Sequence, residues 1–280
     1  MEELRVLAYA KLNLVLRVVG RRDDGYHLLQ TLMCAVDLAD ELHLREAEGI
    51  TLRVEGLEIP PGEDLVLRAV RLLAERTGMG KGVHVRLVKR IPAGAGLGGG
   101  SSDAAAALAG LNRLWGLGLS RAELQEIGLE LGADVPFFFS DSPAWAEGVG
   151  EKLTPASVPL PPAFLILVPP FPCPTPAVYR LYDELGIPFS CPVRLEGEPP
   201  GWENDLWPAA VRLRPELGRL RARLEAQNSL GVGMTGSGSA LFCAFTSRDQ
   251  AGKAAQSLKN TVEGKWFVAA PVPRGYKFVA

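Results

Sequence analysis

Residues 91–118 read IPAGAGLGGGSSDAAAALAGLNRLWGLG, and this stretch decides the fold. Just before it, HVRLVKRIP over 84–92 alternates apolar and polar residues, as a half-buried strand does. Five glycines then fall between 94 and 100, and a run of alanines favours helix. The order is strand, glycine loop, helix. Consecutive glycines leave backbone N–H groups bare, and the helix start adds about half a positive charge. Together they form a cradle for an anion. Ser101 or Ser102 is expected to cap the helix, with Asp103 suited to its first turn. The two hydroxyls are expected to reach a phosphate or a magnesium-bound water. A tight turn alone does not need so many glycines.

Upstream, residues 5–19 alternate around Ala8, Ala10, Leu12, Leu14 and Leu16 and predict a strand or strand pair. RRDDGYH at 21–27 is a turn-rich loop, and 41–45 and 50–54 are strand-like. Residues 63–77 have helical apolar spacing and end at Gly78. Downstream, Ser120 and Glu123 form a capping box for a helix over 120–131. GADVPFFF at 132–139 leads through a short helix to strands. Four prolines in 154–163 break helix and ladder alike, so the domain boundary is placed there, between 1–153 and 163–280. Beyond it come the strand FLILVPP, helices near 176–185 and 205–228, and a second glycine loop, GVGMTGSGSA, at 231–240. The strand LFCAF, a helix near 248–258 and the strands WFVAAPV and GYKFVA complete the chain.

With 280 residues the chain can bury a core without staples, and its length suits two domains. Hydrophobic residues make up 47% and charged ones 22%, which excludes a disordered chain. The net charge of −2 counts against nucleic acid held by a broad basic field. Cys34, Cys173, Cys191 and Cys243 form no CxxC pair and have no metal-ligand spacing to His27, His43 or His84. They read as small buried hydrophobes in a reduced cytoplasm. The amino terminus lacks the pattern of a secretory leader, and AFLILV at 163–168 is far too short for a membrane helix.

Both loops match GxGxxG literally, through Gly94, Gly96 and Gly99 and through Gly231, Gly233 and Gly236. A dinucleotide site requires a strand after the helix and an acidic residue at its end. The first loop is followed by a second helix instead, and the second loop runs helix–loop–strand. No GxxxxGK[ST] is present, and the HRD and DFG elements of protein kinases are missing.

PAGAGLGGGSSDAAAAL resembles the phosphate-binding motif of the galactokinase, homoserine kinase, mevalonate kinase and phosphomevalonate kinase (GHMP) superfamily. AKLNL at 10–14 resembles its first motif and GVGMTGSGSALF at 231–242 its third, so three motifs in order span most of the chain. The resemblance implies an α+β, two-domain GHMP-kinase fold. Its N-terminal domain is ribosomal-protein-like, its C-terminal domain is ferredoxin-like, and the active site lies in the cleft between them. It also implies ATP as phosphoryl donor, Mg²⁺, a small-molecule alcohol as acceptor, no nucleic acid or membrane partner, and a monomer or weak dimer. RRDDGYHLLQT, GADVPFFF and PCPTPAVY are similar to the superfamily branch that phosphorylates a cytidine-diphosphate-linked sugar alcohol for isoprenoid synthesis. A homoserine or mevalonate type of kinase is the alternative. A nicotinamide-dependent oxidoreductase and a non-catalytic RNA-binding protein are the competing classes.

The resemblance assigns Pro92, Ala93, Gly94, Ala95, Gly96, Leu97, Gly98, Gly99, Gly100, Ser101 and Ser102 to ATP. It makes Asp134 the base that accepts the hydroxyl proton and sets Lys11 beside it. Taken alone, Asp134 reads as the cap of the helix after it, and Lys11 as a solvent-facing strand lysine. Asn13 shares a strand face with Lys11 by the period-two rule. The resemblance gives His27 the cytosine edge, with Tyr26 and Tyr179 on the two faces of the base; Tyr179 alone reads as helix packing. Thr175, Gly236 and Ser237 are placed on the acceptor, and the second glycine loop, with Thr235 and Ser237, is expected to reach the acceptor's diphosphate or the rim of the phosphate site. Asn204 and Asp205 read equally as a family element and as a helix cap. No residue is assigned to the metal, with Ser102 the nearest candidate.

Overall fold

The computed structural model describes residues 3–56, 64–193 and 201–279. Two long strands, β1 (Leu4–Arg21) and β2 (His27–Ala47), pair antiparallel from Leu4↔Leu44 to Arg21↔His27 around the RRDDGYH turn. The alternation marked only 41–45 of β2. Residues 30–36 are buried throughout, and a strand covered on both faces shows no alternation. Next come β3 (Ile50–Gly56), α1 (Leu65–Thr77), β4 (Gly82–Lys89), α2 (Gly99–Leu114) and α3 (Arg121–Leu131). A 3₁₀ turn (Pro136–Phe139), β5 (Ala144–Gly148) and β6 (Lys152–Pro155) finish the first half.

Helix ends follow the sequence where caps are strong. Asp64 caps α1, Gly78 ends it in the left-handed region at φ 64°, and Ser120 and Glu123 form the box at α3. The start of α2 differs from expectation. Gly98, left-handed at φ 69°, is its N-cap, and Ser101 and Ser102 lie inside the helix. Ser102 is fully buried and donates its hydroxyl to the Tyr9 carbonyl at 2.6 Å, tying the helix to β1. The alanines of α2 let it sit close on the sheet. A Cβ at Gly110 would come 2.9 Å from Leu44 Cδ1.

The second half holds β7 (Ala163–Val168), α4 (Thr175–Glu184), α5 (Trp207–Leu213), α6 (Glu216–Glu225), β8 (Gly231–Met234), β9 (Leu241–Phe245), α7 (Arg248–Lys259), β10 (Lys265–Ala269) and β11 (Tyr276–Val279). The single helix expected over 205–228 is two. Arg214, ahead of Pro215, leaves the helical region at φ −135°, ψ 85°, because a proline ring clashes with a preceding helical residue.

The first sheet runs β11-β1-β2-β4-β3, with β5 on the turn-side half of β2 and β6 on β5; β3 and β4 are parallel. The second runs β10-β7-β9-β8, all antiparallel. In chain order that is four-one-three-two with helices after the first and third strands, the ferredoxin-like arrangement. The coil at 156–162 joins the halves. The expected second half ran through 280, yet β11 leaves it and pairs with β1 from Arg5↔Val279 to Ala8↔Tyr276, closing an edge of the first sheet.

Three buried clusters make a helix–sheet–sheet–helix stack. One lies between α1–α3 and the first sheet, and one between α4–α7 and the second. The third lies between the sheets, where Leu12, Leu14 and Leu32 meet Phe164, Ile166 and Phe242. Ile91, Ala95 and Leu97 join this middle cluster, so the glycine loop is rooted where the two sheets meet. Of the four cysteines, Cys34, Cys173 and Cys243 are buried as expected; Cys191 is exposed. Among the described residues, no helix is long and apolar enough to cross a membrane.

Candidate active site

The loop after β4 alternates handedness. Gly94, Gly96 and Gly98 all have positive φ, at 66°, 78° and 69°. Gly96 also has no room for a side chain, since a Cβ there would lie 2.2 Å from the Thr235 carbonyl oxygen. The first and second glycine loops therefore meet with no side chain from Gly96 between them. The loop is held from outside through its carbonyls. Leu97 O accepts from Lys11 N at 2.9 Å, Ala95 O from Ala240 N at 3.2 Å, and Gly96 O lies 2.9 Å from the Thr235 hydroxyl. Among the described residues, the N–H groups of 94–98 donate to no protein acceptor. Free donors at a helix start suit an anionic ligand.

Cavities lie on both sides of this loop. One, of about 260 Å³, is lined by Pro92 through Ser101, Lys89 and Asp103, and by Asp64, Leu65 and Val66 at the start of α1. Ser102 is not on its wall, because its side chain is spent on Tyr9. The other, of about 240 Å³, brings together Lys11, Asn13, Asp134, Thr175, Tyr179, Gly236 and Ser237. Gly96 and Gly98 line both. A group bound to the loop thus stands at the edge of the second cavity.

Lys11 is not a surface lysine. Its side chain is 4% exposed, and its ammonium lies 3.5 Å from Asp134 Oδ2 and donates to Asn13 Oδ1. Asp134 does not cap the 3₁₀ turn, which starts after Val135 without a side-chain cap, and its carboxylate is 41% exposed in the cavity. Asn13 is fixed twice more. Its amide donates to Thr31 Oγ1 at 2.9 Å, and its backbone N–H donates to Thr235 Oγ1 at 3.0 Å. A buried ammonium at the cavity wall stabilises negative charge developing on a nearby oxygen.

At the far end, His27 stacks on Tyr179 with ring centroids 4.7 Å apart and meets Tyr182 edge-on. Its Nε2 sits 2.7 Å from Asp183 Oδ1. Burial, and then the Asp134 charge, push the Tyr179 phenol well above its ordinary range. Tyr26 is not brought to this stack. It is 66% exposed on the turn, and His27 rather than an open slot covers Tyr179. Thr175 and Ser237 share a hydrogen bond at 2.8 Å, joining the start of α4 to the second glycine loop.

Asn204 is not the cap of α5, whose N-cap is Leu206 without a side-chain cap. Its amide donates to the carbonyls of Met234 and Gly236 at 2.8 and 2.9 Å, while its own Oδ1 accepts from Leu206 N. Asp205 accepts from Val18 N. Thr31 and Asp183 were missed in the sequence because each looks like an ordinary strand or helix residue; only tertiary contact brings them here.

Known proteins sharing these features are kinases. The GHMP kinases N terminal domain matches residues 64–142, and the GHMP kinases C terminal domain matches 201–264. The 4-diphosphocytidyl-2-C-methyl-D-erythritol kinase of Ralstonia nicotianae is 45% identical over 267 residues, covering 92% of this chain and 91% of that protein. That of Paramagnetospirillum magneticum is 42% identical over 284 residues, covering 96% and 98%. A crystal structure of 4-(cytidine 5'-diphospho)-2C-methyl-D-erythritol kinase superposes with a TM-score of 0.80 at 40% identity, over 95% of this chain and 99% of that one. Homoserine kinase from Cytophaga hutchinsonii shares the fold, with a TM-score of 0.73 at 18% identity over 100% and 98% of the two chains. By its three motifs, its two-sheet architecture and these relatives, the chain belongs to the GHMP kinases, ATP-dependent small-molecule kinases, and within them to the 4-diphosphocytidyl-2-C-methyl-D-erythritol kinases.

Proposed function

We propose that this kinase transfers the γ-phosphate of ATP to the 2-hydroxyl of 4-diphosphocytidyl-2-C-methyl-D-erythritol, a step of non-mevalonate isoprenoid synthesis. One observation carries the reading: the Lys11–Asp134 pair stands in a cavity that shares Gly96 and Gly98 with the cavity of the free loop N–H groups. Acceptor and donor thus meet across two glycines.

In this reading the loop N–H groups and the start of α2 hold the phosphates, and Asp134 receives the proton of the acceptor hydroxyl. The oxygen–phosphorus bond forms as the bond from the γ-phosphorus to ADP breaks. Lys11 stabilises charge on the attacking oxygen, and Asn13 holds Lys11 in place. Positioning and charge supply most of the acceleration in phosphoryl transfer. Among the described residues no three His, Cys, Asp or Glu side chains gather to hold a metal. A bound Mg²⁺ would neutralise phosphate charge and would take most of its ligands from ATP and water. The cytidine end is assigned to His27 and Tyr179, and the diphosphate to Thr175, Gly236 and Ser237. The ATP-binding half is taken as 1–153, to which β11 returns.

A coupled ADP-release assay tests the reading. Turnover is expected with the cytidine-diphosphate-linked methylerythritol and not with homoserine, mevalonate or galactose. Equal turnover of homoserine would overturn it.

A further inference from the structure

Beneath the phosphate loop lies a cluster of charge to which no step above assigns a role, although Lys89 and Asp103 reach the wall of the loop's cavity. Asp40 on β2, Lys89 at the end of β4 and Asp103 on α2 are all buried. The Lys89 ammonium bonds to Asp40 Oδ2, and to Asp103 Oδ2 at 2.6 Å. Asp40 Oδ1 accepts the backbone N–H groups of Arg90 and Ile91 at 2.5 and 2.8 Å. These are the two residues that follow the end of the β4 ladder.

We infer that Asp40, Lys89 and Asp103 are positioning residues that clamp the two ends of the phosphate loop together before ATP binds. The inference rests on the reading that this loop holds ATP. The start of the loop is fixed by Asp40 through Arg90 and Ile91. Its end is fixed by Asp103, on the first part of α2. One ammonium joins the two. A Cβ on Gly99 would lie only 3.4 Å from Lys89 Nζ, which sets the charge directly under the first residue of the helix. The other tethers act elsewhere: Lys11, Ala240 and Thr235 hold the middle of the loop, and Ser102 holds α2 to β1.

Stability alone does not require this cluster. Buried ion pairs seldom outperform apolar residues of the same volume, but they hold a defined geometry. A glycine-rich segment loses more entropy on ordering than any other, so fixing its ends in advance favours the bound shape. The electrostatics agree. Burial alone would lower the Lys89 ammonium, but Asp103 and Asp40 outweigh it and hold it charged. Burial is the main cause that pushes the Asp103 carboxyl well above the usual carboxylate range, with Lys89 opposing it and Asp40 adding to it.

The test compares Asp103→Ala with Asp103→Asn in the full chain. Alanine cuts the link to α2 and leaves a neutral Lys89–Asp40 pair; asparagine keeps an oxygen for the ammonium. Asp103→Ala is expected to raise the ATP KM about tenfold or more while the acceptor KM and the melting temperature move little. Asp103→Asn is expected to recover most of the loss. An unchanged ATP KM in folded Asp103→Ala overturns the clamp, and so does equal damage in both variants. If the alanine variant fails to fold, Lys89→Gln, too short to span both carboxylates, is read by the same ATP and acceptor KM values. Calorimetry of wild type with ADP separates the two levels: no nucleotide binding would sink the phosphate-loop reading itself.

Discussion

The two glycine loops touch at Gly96 and Thr235 and are built on opposite plans. In the first, the N–H groups of 94–98 have no acceptor among the described residues, the carbonyls are held by other elements, and cavities open on both sides. In the second, the turn is partly paired with itself and its carbonyls are held by a neighbouring side chain. Thr235 N bonds Ala240 O, Gly238 N bonds Thr235 O, and Asn204 takes the carbonyls of Met234 and Gly236. The first loop stands on buried charge, the second on neutral side chains. A loop that receives a polyanion must leave its donors unpaired, so its order comes from outside. A loop that serves as its wall can hold its turn through bonds of its own.

That contrast is open to attack from several sides. The largest effect is expected between the loops, at the acceptor. Asp134→Asn should keep ATP affinity and lose on the order of 10²–10⁴ in kcat, measured by ADP release; near-normal turnover would remove Asp134 as the base. Gly96→Ala comes next. Its Cβ would meet the Thr235 carbonyl at 2.2 Å, so the loops must part, and a loss on the order of 100-fold in kcat is expected. Gly94→Ala is its control: the same left-handed conformation with open space around it should cost only about 1–2 kcal/mol of strain. Equal damage at both sites would mean that strain, and not loop contact, matters. His27→Ala should raise the KM of the cytidine-linked acceptor by roughly 5- to 150-fold, the equivalent of about 1–3 kcal/mol of lost base contact, with ATP unaffected. Equal losses for both substrates would place His27 elsewhere. The smallest catalytic effect is expected at Asn204→Ala. Losing two bonds to the second loop should cost about 1–3 kcal/mol, read as a lower melting temperature with kcat nearly retained.

Much of the architecture was legible because local rules act strongly there. The cap at Ser120, the stop at Gly78 and the alternation of β1 all depend on neighbours in sequence. Local rules failed where tertiary contact overrode them. β2 is buried on both faces and lost its alternation. The serines after Gly98 looked like caps, but Ser102 is bound to Tyr9. Asp103 looked like a partner for the helix dipole, but it answers Lys89 across the loop.

By itself the sequence determined that residues 92–102 form a glycine loop running into a helix, that three ordered motifs span the chain, and that Lys11 and Asn13 share a strand face. The loop and the shared strand face follow from local composition and spacing, and the three motifs from resemblance to the GHMP kinases. Only the tertiary structure decided that Lys11 is buried against Asp134, that His27 covers Tyr179 while Tyr26 stands open, and that a lysine between two aspartates joins the ends of the loop. Those are pairings between residues far apart in sequence. The energy of a charge or a ring depends on what surrounds it, and only packing supplies the surroundings.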